Sequence, residues 1–205
     1  MRGTATVFVI DDDAAVRDAI RELLLSVGHP VESFLSAEEF LARRDPQGCG
    51  CLVCDVRLPG TSGLELQKRL SAQKDRIPII FISGYGDVPM AVQVMKGGAV
   101  DFLQKPFREQ ELLECVQMAL RRDEAQRELE EQVSSVLSGY RSLTKREREI
   151  MKLVVTGQIN KQIAAQVGLS EVTVKIHRAQ VMHKMGTPSL ADLVRAADKI
   201  EAYLS

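Results

Sequence analysis

The sequence lacks any long hydrophobic run. None of its segments reaches the roughly 18 consecutive apolar residues that a membrane-spanning helix needs. Its first residues also lack the cationic start, apolar stretch and cleavage site of a signal peptide, and they lead directly into a short apolar run. We therefore expect a cytoplasmic protein without a membrane partner.

Net charge is also nearly absent, at -1 over 205 residues. This small value conceals an asymmetry, because residues 1–120 contain 13 Lys or Arg and 17 Asp or Glu, whereas residues 141–205 contain 11 and 6. The contents of 45% hydrophobic and 27% charged residues are ordinary for a globular protein. The length fits one large domain or two small ones, and a basic C-terminal domain is a candidate for nucleic-acid binding.

A second set of metal ligands is missing around the cysteines. Cys49, Cys51 and Cys54 have a spacing that invites a zinc or redox interpretation. However, residues 51–54 read as a strand, in which side chains three apart face opposite sides, and no further Cys or His pair has finger-like spacing. We interpret these cysteines as reduced core side chains.

The first part of the chain alternates short apolar strands with amphipathic helical patterns. Such alternation predicts a parallel sheet with helices on both faces. Five of these units predict an α/β fold of the flavodoxin-like, doubly wound type with a five-stranded parallel sheet, in a domain of residues 1–122. The strand patterns lie at residues 7–10, 31–34, 52–54, 79–82 and 101–103, and the helical patterns at 16–27, 37–42, 64–70, 88–96 and 109–120.

Glycine and proline are absent from residues 121–132, which are polar and highly charged. We therefore expect a continuous helix over residues 109–138, in which residues 123–140 form a helical linker between two domains. This linker is either an inter-chain coiled coil or a solvated connecting helix. Its apolar residues recur with the 4-3-4-3 spacing of a coiled-coil seam at Leu129, Val133, Val136, Tyr140 and Leu143.

Residues 141–205 show only helical patterns and predict an all-α helix-turn-helix domain. Thr144 and Glu147 have the spacing of a capping box. Helices are predicted at residues 145–156, 161–167, 171–185 and 190–203, and Ser170 can cap the third of them. Residues 171–185 have an inward apolar stripe of Val174, Val181 and Met185.

Side chains typical of phosphoryl transfer follow four of the predicted strands. Because ligand sites of doubly wound sheets lie at the carboxyl ends of the strands, these side chains should meet at one edge. Clustered carboxylates bind Mg²⁺, a carboxylate can form an aspartyl-phosphate, and a lysine stabilises the transferring phosphoryl group. The set consists of Asp11, Asp12, Asp13, Asp55, Ser83 and Lys105.

The same strand ends carry motifs that resemble the receiver domain of two-component response regulators. The resemblance covers about residues 5–122. It implies that a sensor histidine kinase phosphorylates Asp55. The motifs are Val9-Ile-Asp-Asp12, Cys54-Asp-Val-Arg-Leu-Pro-Gly60, Ile82-Ser-Gly-Tyr-Gly-Asp-Val-Pro89 and Asp101-Phe-Leu-Gln-Lys-Pro-Phe107.

This resemblance also implies a magnesium site. Asp12 and Asp55 would bind Mg²⁺ directly, together with the backbone carbonyl of Arg57. Asp11 would act on the metal mainly through water, and Asp13 is interpreted as a helix cap.

The resemblance further implies a switch next to the phosphate. Lys105 would pair with the phosphate, and the Ser83 hydroxyl would turn towards it. Phe102 would then adopt a new rotamer. The Lys105–Pro106 peptide bond would be cis, which is rare enough to be a checkable feature.

The C-terminal domain resembles the LuxR-type helix-turn-helix of the NarL/FixJ family, and the whole chain resembles its FixJ-type subgroup. The resemblance implies promoter binding by a homodimer that forms on phosphorylation, and RNA polymerase as a further partner. The motifs are Leu143-Thr-Lys-Arg-Glu-Arg-Glu149, Asn160-Lys-Gln-Ile-Ala164, Glu171-Val-Thr-Val-Lys-Ile-His177 and Lys184-Met185.

The outward face of residues 171–185 suits the major groove of DNA, where apolar side chains meet thymine methyl groups. Lys175 could contact a base or a phosphate there. Arg178 falls by angle on the inward stripe, and it would reach a phosphate by extending its side chain. The candidate DNA contacts are Lys161, Val172, Thr173, Lys175, Ile176, Arg178, Ala179 and Lys184.

Two other functions are open at this point. Asp11 and Asp13 also resemble the nucleophile motif of haloacid-dehalogenase-type phosphatases, although that reading leaves Asp55 without a role. A receiver that signals by protein contact alone is the other alternative. We expect no enzymatic activity beyond self-phosphorylation and self-dephosphorylation. We interpret Gly84-Tyr-Gly86 as a turn.

Overall fold

The computed structural model describes residues 5–46, 48–84 and 88–204. The chain divides into two compact units, Met1–Gln126 and Arg127–Ser205. The division falls inside the stretch 123–140 that the sequence marks as a linker. Among the described residues, no helix combines the length and hydropathy needed to cross a membrane.

The first unit contains a five-stranded, all-parallel sheet in the order β2-β1-β3-β4-β5. This order is that of flavodoxin-like folds, so the predicted fold class is confirmed. Each predicted strand is present, and β3 extends further than its apolar run suggests. The strands are β1 (Thr6–Ile10), β2 (Val31–Phe34), β3 (Gly50–Asp55), β4 (Ile79–Ser83) and β5 (Asp101–Gln104).

Helices cover both faces of this sheet, because alternate residues of each strand point to opposite sides. One face packs around the rings of Phe8, Phe34 and Phe40, and the other around residues such as Val7 and Val9. Asp13, Ser36 and Ser62 cap the first three helices with their side chains, so the cap expected at Asp13 is confirmed. The helices are α1 (Ala14–Ser26), α2 (Ala37–Arg43), α3 (Gly63–Ala72) and α4 (Val88–Lys96).

Cys51 and Cys54 lie in the two different cores, on opposite faces of the sheet. This placement confirms that they cannot share a metal ion. Burial raises the pKa of the Cys51 thiol to about 12, and burial also raises the pKa of Cys54. Both side chains therefore stay protonated at neutral pH and act as core residues.

Helix α5 (Glu109–Ser142) runs through the end of the first unit into the second, as the absence of glycine and proline predicts. Leu112 and Val116 bury one of its faces against the sheet. Further along, the Asp123 carboxylate accepts a hydrogen bond of 3.0 Å from the backbone N–H of Gly50 at the start of β3. This contact holds α5 to the amino edge of the sheet.

The second unit is all-α, and α8 has the bounds that the sequence predicts. The capping box of Thr144 and Glu147 is present, and Ser170 caps α8, so both predicted caps are confirmed. The inward stripe of α8 is buried as expected. Besides the end of α5, the unit contains α6 (Lys145–Val155), α7 (Asn160–Val167), α8 (Glu171–Met185) and α9 (Leu190–Leu204).

The coiled-coil-like seam of the linker packs within the second unit. Val133, Val136 and Tyr140 lie against its core, while Leu129 remains 51% exposed. A wholly solvated connecting helix is therefore wrong for the C-terminal half of the linker, because its apolar side chains are buried by the chain's own bundle.

Candidate functional site

The carboxyl edge of the sheet brings together side chains from three strand ends. The Lys105 Nζ atom follows β5 and lies 2.6 Å from Asp11 Oδ2, after β1, and 2.6 Å from Asp55 Oδ2, at the end of β3. Asp11 is fully buried and Asp55 is 7% exposed. Three residues separated by up to 94 positions thus form one ionic cluster.

The second oxygen of each buried carboxylate is fixed by the backbone. Asp11 Oδ1 accepts a hydrogen bond of 2.9 Å from the Asp13 N–H, and Asp55 Oδ1 accepts one of 2.7 Å from the Arg57 N–H. The guanidinium of Arg17 also donates to the carbonyl oxygen of Asp11 at 2.8 Å. The two backbone N–H bonds orient both carboxylates, and the Arg17 bond holds the backbone of Asp11.

The cluster contains more negative than positive charge, because two carboxylates share one ammonium. Burial raises the pKa of Asp11, and the hydrogen bond from Lys105 offsets this only in part. For Lys105, burial acts to lower the pKa, but its contacts with Asp11 and Asp55 outweigh that effect and leave the pKa raised. The ammonium therefore stays charged between two carboxylates.

The donor set fits a magnesium ion. Carboxylate oxygens of Asp11, Asp12 and Asp55 all lie within 4.8 Å of one another, and Asp12 is exposed to solvent. Mg²⁺ prefers oxygen ligands and keeps several waters, which an open edge allows. Arg57 is exposed beside this group, and the role of its carbonyl oxygen as a ligand stays a prediction.

The predicted switch residues lie on the neighbouring strands. Ser83 ends β4 and is buried, and its carbonyl oxygen accepts a hydrogen bond of 2.8 Å from the Lys105 N–H. Phe102 on β5 is half-buried beside Phe81. The Lys105–Pro106 bond is cis, as the resemblance implies. Of the predicted turn at residues 84–86, Tyr85 and Gly86 lie outside the described residues.

Gly63 is a site residue that sequence reasoning missed. A Cβ atom at this position would lie 2.5 Å from the carbonyl oxygen of Asp55 and 2.9 Å from the ring of Phe81. Only glycine therefore lets α3 begin so close to the end of β3. A glycine directly after the cap Ser62 was the available signal.

The candidate DNA face of α8 is largely solvent-exposed. Val172 is 70% exposed and Ile176 is 54% exposed, with Lys175 and Ala179 exposed beside them. Neither Val172 nor Ile176 is buried in the core of the unit. Lys161, on α7, is exposed as well.

Other predicted contacts are engaged within the unit. Thr173 is hydrogen-bonded to the cap Ser170. Arg178 Nη1 donates to Asn160 Oδ1 at 2.9 Å, which explains its position on the inward stripe. The Lys184 ammonium lies 2.7 Å from the buried Glu147 carboxylate, an ion pair that sequence reasoning missed. All DNA contacts stay predictions.

Two family models match separate parts of the chain. The model described as response regulator receiver domain matches residues 7–117, and the model described as bacterial regulatory proteins, luxR family, matches residues 141–197. The first of these covers the acidic sheet edge, and the second covers α6 to α8 and most of α9.

Relatives match over almost the full length. Nodulation protein W of Bradyrhizobium diazoefficiens is 52% identical over 196 residues, which cover 96% of this chain and 86% of that protein. Transcriptional regulatory protein FixJ of the same species is 44% identical over 191 residues, 93% of each chain. The low-resolution structure of the response regulator StyR matches with a TM-score of 0.90 and 47% identity, covering 96% of this chain and 100% of that one.

An acidic receiver edge in one unit and a helix-turn-helix in the other define a response regulator with a DNA-binding domain. The full-length matches make the assignment more specific. The chain belongs to the NarL/FixJ family of two-component response regulators and combines a receiver domain with a LuxR-type DNA-binding domain.

Proposed function

We propose that this chain is a transcription regulator that is switched by phosphorylation of Asp55. The observation that carries the proposal is the contact between Asp55 Oδ2 and Lys105 Nζ at the sheet edge, in a chain that also contains a helix-turn-helix. A sensor histidine kinase supplies the phosphoryl group. The phosphorylated chain forms a homodimer, binds promoter DNA and acts on RNA polymerase.

Asp55 is a better phosphoryl acceptor than Asp11. The two carboxylates differ in exposure, because Asp11 is fully buried, whereas hydrogen bonds from within the chain hold both oxygens of Asp11 and of Asp55 alike. Asp55 retains some exposure, and its Oδ2 is held by the lysine that would compensate the charge of a new phosphoryl group. This difference favours the regulator over the phosphatase, in which Asp11 would be the nucleophile.

Asp12 and Asp55 would hold Mg²⁺ directly, helped by the Arg57 carbonyl, and Asp11 would act mainly through water. When bound, the ion supplies positive charge that stabilises the transferring phosphoryl oxygens. Lys105 leaves Asp11 to pair with the phosphate, and the Ser83 hydroxyl turns to donate a hydrogen bond to it. Phe102 then changes rotamer. The chain catalyses only its own phosphorylation and dephosphorylation.

The exposed face of α8 would enter the major groove. Val172 and Ile176 present branched apolar groups suited to thymine methyls, and Lys175 supplies a charge for a base or phosphate. Lys161, which lies on α7, would contact a DNA phosphate. This arrangement favours DNA binding over a module that signals by protein contact alone.

The phosphorylation step is tested with acetyl phosphate and MgCl₂ on the full chain, followed by intact-protein mass spectrometry. We expect one added phosphoryl group in the wild type and none in Asp55→Asn. Asp18→Asn, an exposed substitution on α1, is the matched control and should behave as wild type. Equal phosphorylation of Asp55→Asn would refute the site assignment, and sustained phosphomonoester turnover lost in Asp11→Asn would support the phosphatase.

The DNA-binding step is tested with duplexes selected from a random library by the phosphorylated protein. Affinity should fall steeply with salt, because phosphate contacts release counterions. If thymine methyls are read, replacing each thymine of a selected duplex by uracil should weaken binding at the positions that Val172 and Ile176 contact. Absent or salt-insensitive binding would favour signalling by protein contact.

A further inference from the structure

The first turn of α6 makes polar contacts with three other helices of the second unit. Its charged residues Arg146, Glu147 and Arg148 follow the cap Thr144. None of them has a role in the DNA binding proposed above. Three successive charges that each reach a different helix are unlike an ordinary solvated helix start, where such side chains point to water.

Glu147 holds the C-terminal half of α8. Its carboxylate is almost completely buried, and Lys184 Nζ lies 2.9 Å from Oε1 and 2.7 Å from Oε2. Oε2 also accepts a hydrogen bond of 2.7 Å from the Thr144 N–H. The Lys184 ammonium keeps the pKa of Glu147 below its ordinary value, so this carboxylate is charged at neutral pH. A buried charge with this many partners fixes the two helices against each other.

Arg146 holds the end of α7. Its Nη2 donates a hydrogen bond to the carbonyl oxygen of Val167, the last residue of α7. Its Nη1 lies 2.6 Å from Glu149 Oε2, which keeps the guanidinium in place. The last carbonyls of a helix have no partner within the helix, so Arg146 satisfies one of them directly before the turn of the helix-turn-helix.

Arg148 connects the same turn to the end of α5. Its guanidinium lies over the ring of Tyr140, 5.1 Å from the ring centroid, and Nη2 donates to the carbonyl oxygen of Arg141 at 3.0 Å. A cation over an aromatic face and a hydrogen bond to a helix end act together here. The last turn of α5 and both helices of the motif therefore meet at three consecutive residues.

We propose that Arg146, Glu147 and Arg148 form a clamp, the α6 clamp, in which Arg146 and Glu147 set the angle between α7 and α8 for DNA recognition and Arg148 ties the clamp to the end of α5. Its members are positioning residues that do not touch DNA, and Lys184 serves the clamp rather than a DNA phosphate. A recognition helix reads base edges only if its supporting contacts hold it in place. This inference rests on the proposed DNA-binding function.

The negative charge of Glu147 allows a test based on the direction in which DNA affinity changes. Removing a negative charge from a DNA-binding domain should strengthen binding through simple electrostatics. The clamp predicts the reverse for Glu147→Gln, a loss of about tenfold in affinity for a selected duplex, which is a mid-range coupling effect. Glutamine preserves the capping box. Asp198→Asn, an exposed substitution on α9, is the matched charge control and should bind equally well or better.

Lys184 is tested by the salt dependence of binding. In Lys184→Met, the clamp predicts weaker binding to the selected duplex with an unchanged slope of log affinity against log salt. A direct phosphate contact predicts a slope reduced by about one. Lys184→Arg can still pair with Glu147 and should restore most of the affinity. The double variant Glu147→Gln/Lys184→Met should lose little more than either single variant, because both remove the same interaction.

All measurements use the phosphorylated full chain, with fluorescence anisotropy for binding and circular dichroism for folding. Unchanged or tighter binding by a folded Glu147→Gln, or a reduced salt slope in Lys184→Met, would overturn the clamp. If Glu147→Gln unfolds, the comparison of Lys184→Met with Lys184→Arg decides the question. Failure of the wild type to bind any duplex would instead refute the proposed DNA-binding function, and this outcome differs from failure of the clamp, in which the wild type still binds.

Discussion

Each unit of this chain holds a buried carboxylate with a lysine, and the two arrangements have opposite electrostatic consequences. In the receiver, Lys105 serves two acids, a third lies within 4.8 Å, and burial raises the pKa of Asp11. In the DNA-binding domain, Lys184 pairs with one described acid, Glu147, and the pKa of that acid is lowered. One site is short of positive charge, and the other is balanced.

This difference distinguishes a site that can accept a ligand from an ion pair that stabilises the fold. An acid cluster that one lysine cannot neutralise has an outstanding requirement for a cation, which Mg²⁺ would meet. A one-to-one pair with a capping role has no such requirement, and any added ligand would only disturb it. The comparison can be sharpened by removing each lysine in turn.

Lys105→Met should have the largest effect. Removing the ammonium leaves the buried charge of Asp11 without its partner, so we expect the free energy of unfolding to fall by about 3 kcal/mol. Mg²⁺ should restore part of it, because the ion replaces the missing charge. Lys184→Met is the matched variant, for which we expect a loss without magnesium rescue. Urea unfolding with and without MgCl₂ measures both, and equal magnesium responses would break the comparison.

Ile159→Thr should stabilise the second unit at the start of α7, where the N-cap residue makes no side-chain hydrogen bond. Ile159 precedes α7 and has no side-chain acceptor for the first N–H groups of that helix, unlike Ser36 or Ser62 in the receiver. Threonine at this position should raise the free energy of unfolding by about 1 kcal/mol. Ile159→Val has the same shape without the hydroxyl and should give no such gain in thermal unfolding.

Asp12→Asn should have a smaller effect on stability. Relative to the wild type, the variant should be more stable without Mg²⁺ and should be stabilised less by Mg²⁺. Without Mg²⁺, removing an exposed acid from the cluster relieves like-charge repulsion and should add about 0.5 kcal/mol of stability. With Mg²⁺, the variant should gain less than the wild type, because it has lost a ligand. Titration of the melting temperature with MgCl₂ tests this, and a wild-type response would remove Asp12 from the predicted metal site.

The pH dependence of stability should differ between the two acids. Because the folded pKa of Glu147 is lowered, its contribution is present above its unfolded pKa of about 4.3 and is lost as the pH falls towards the folded value. The stability advantage of wild type over Glu147→Gln should therefore shrink on acidification. Asp11 has a raised folded pKa, so wild type should gain on Asp11→Asn as the pH falls. Thermal melts over the acidic range measure both differences. If the two differences change in the same direction with pH, the prediction is wrong.

Sequence reasoning was most accurate where local chemistry decides the structure. Helix α8 has its predicted bounds because Ser170 caps its start and Gly186, with φ of 62°, ends it. The strand-end acids met as predicted, since the topology of a parallel sheet brings the carboxyl ends of its strands to one edge.

Contacts between distant segments could not be predicted in the same way. Lys184 and Glu147 are 37 residues apart, and Asp123 and Gly50 are 73 apart. Such pairs depend on how finished helices pack, and no spacing rule encodes them. For the same reason the sequence of the linker predicts a coiled coil or a solvated helix, because periodicity identifies an apolar stripe but not the surface that covers it.

The unequal burial of the cysteines makes this chain suitable for site-selective labelling. Cys51, Cys54 and Cys115 are buried with raised pKa values, so they react slowly with maleimides at neutral pH, whereas Cys49 is only half-buried. Cys49 directly precedes β3, at the edge of the sheet opposite to Asp55. A fluorophore on Cys49 would therefore report whether phosphorylation is felt across the whole sheet, without any engineered residue.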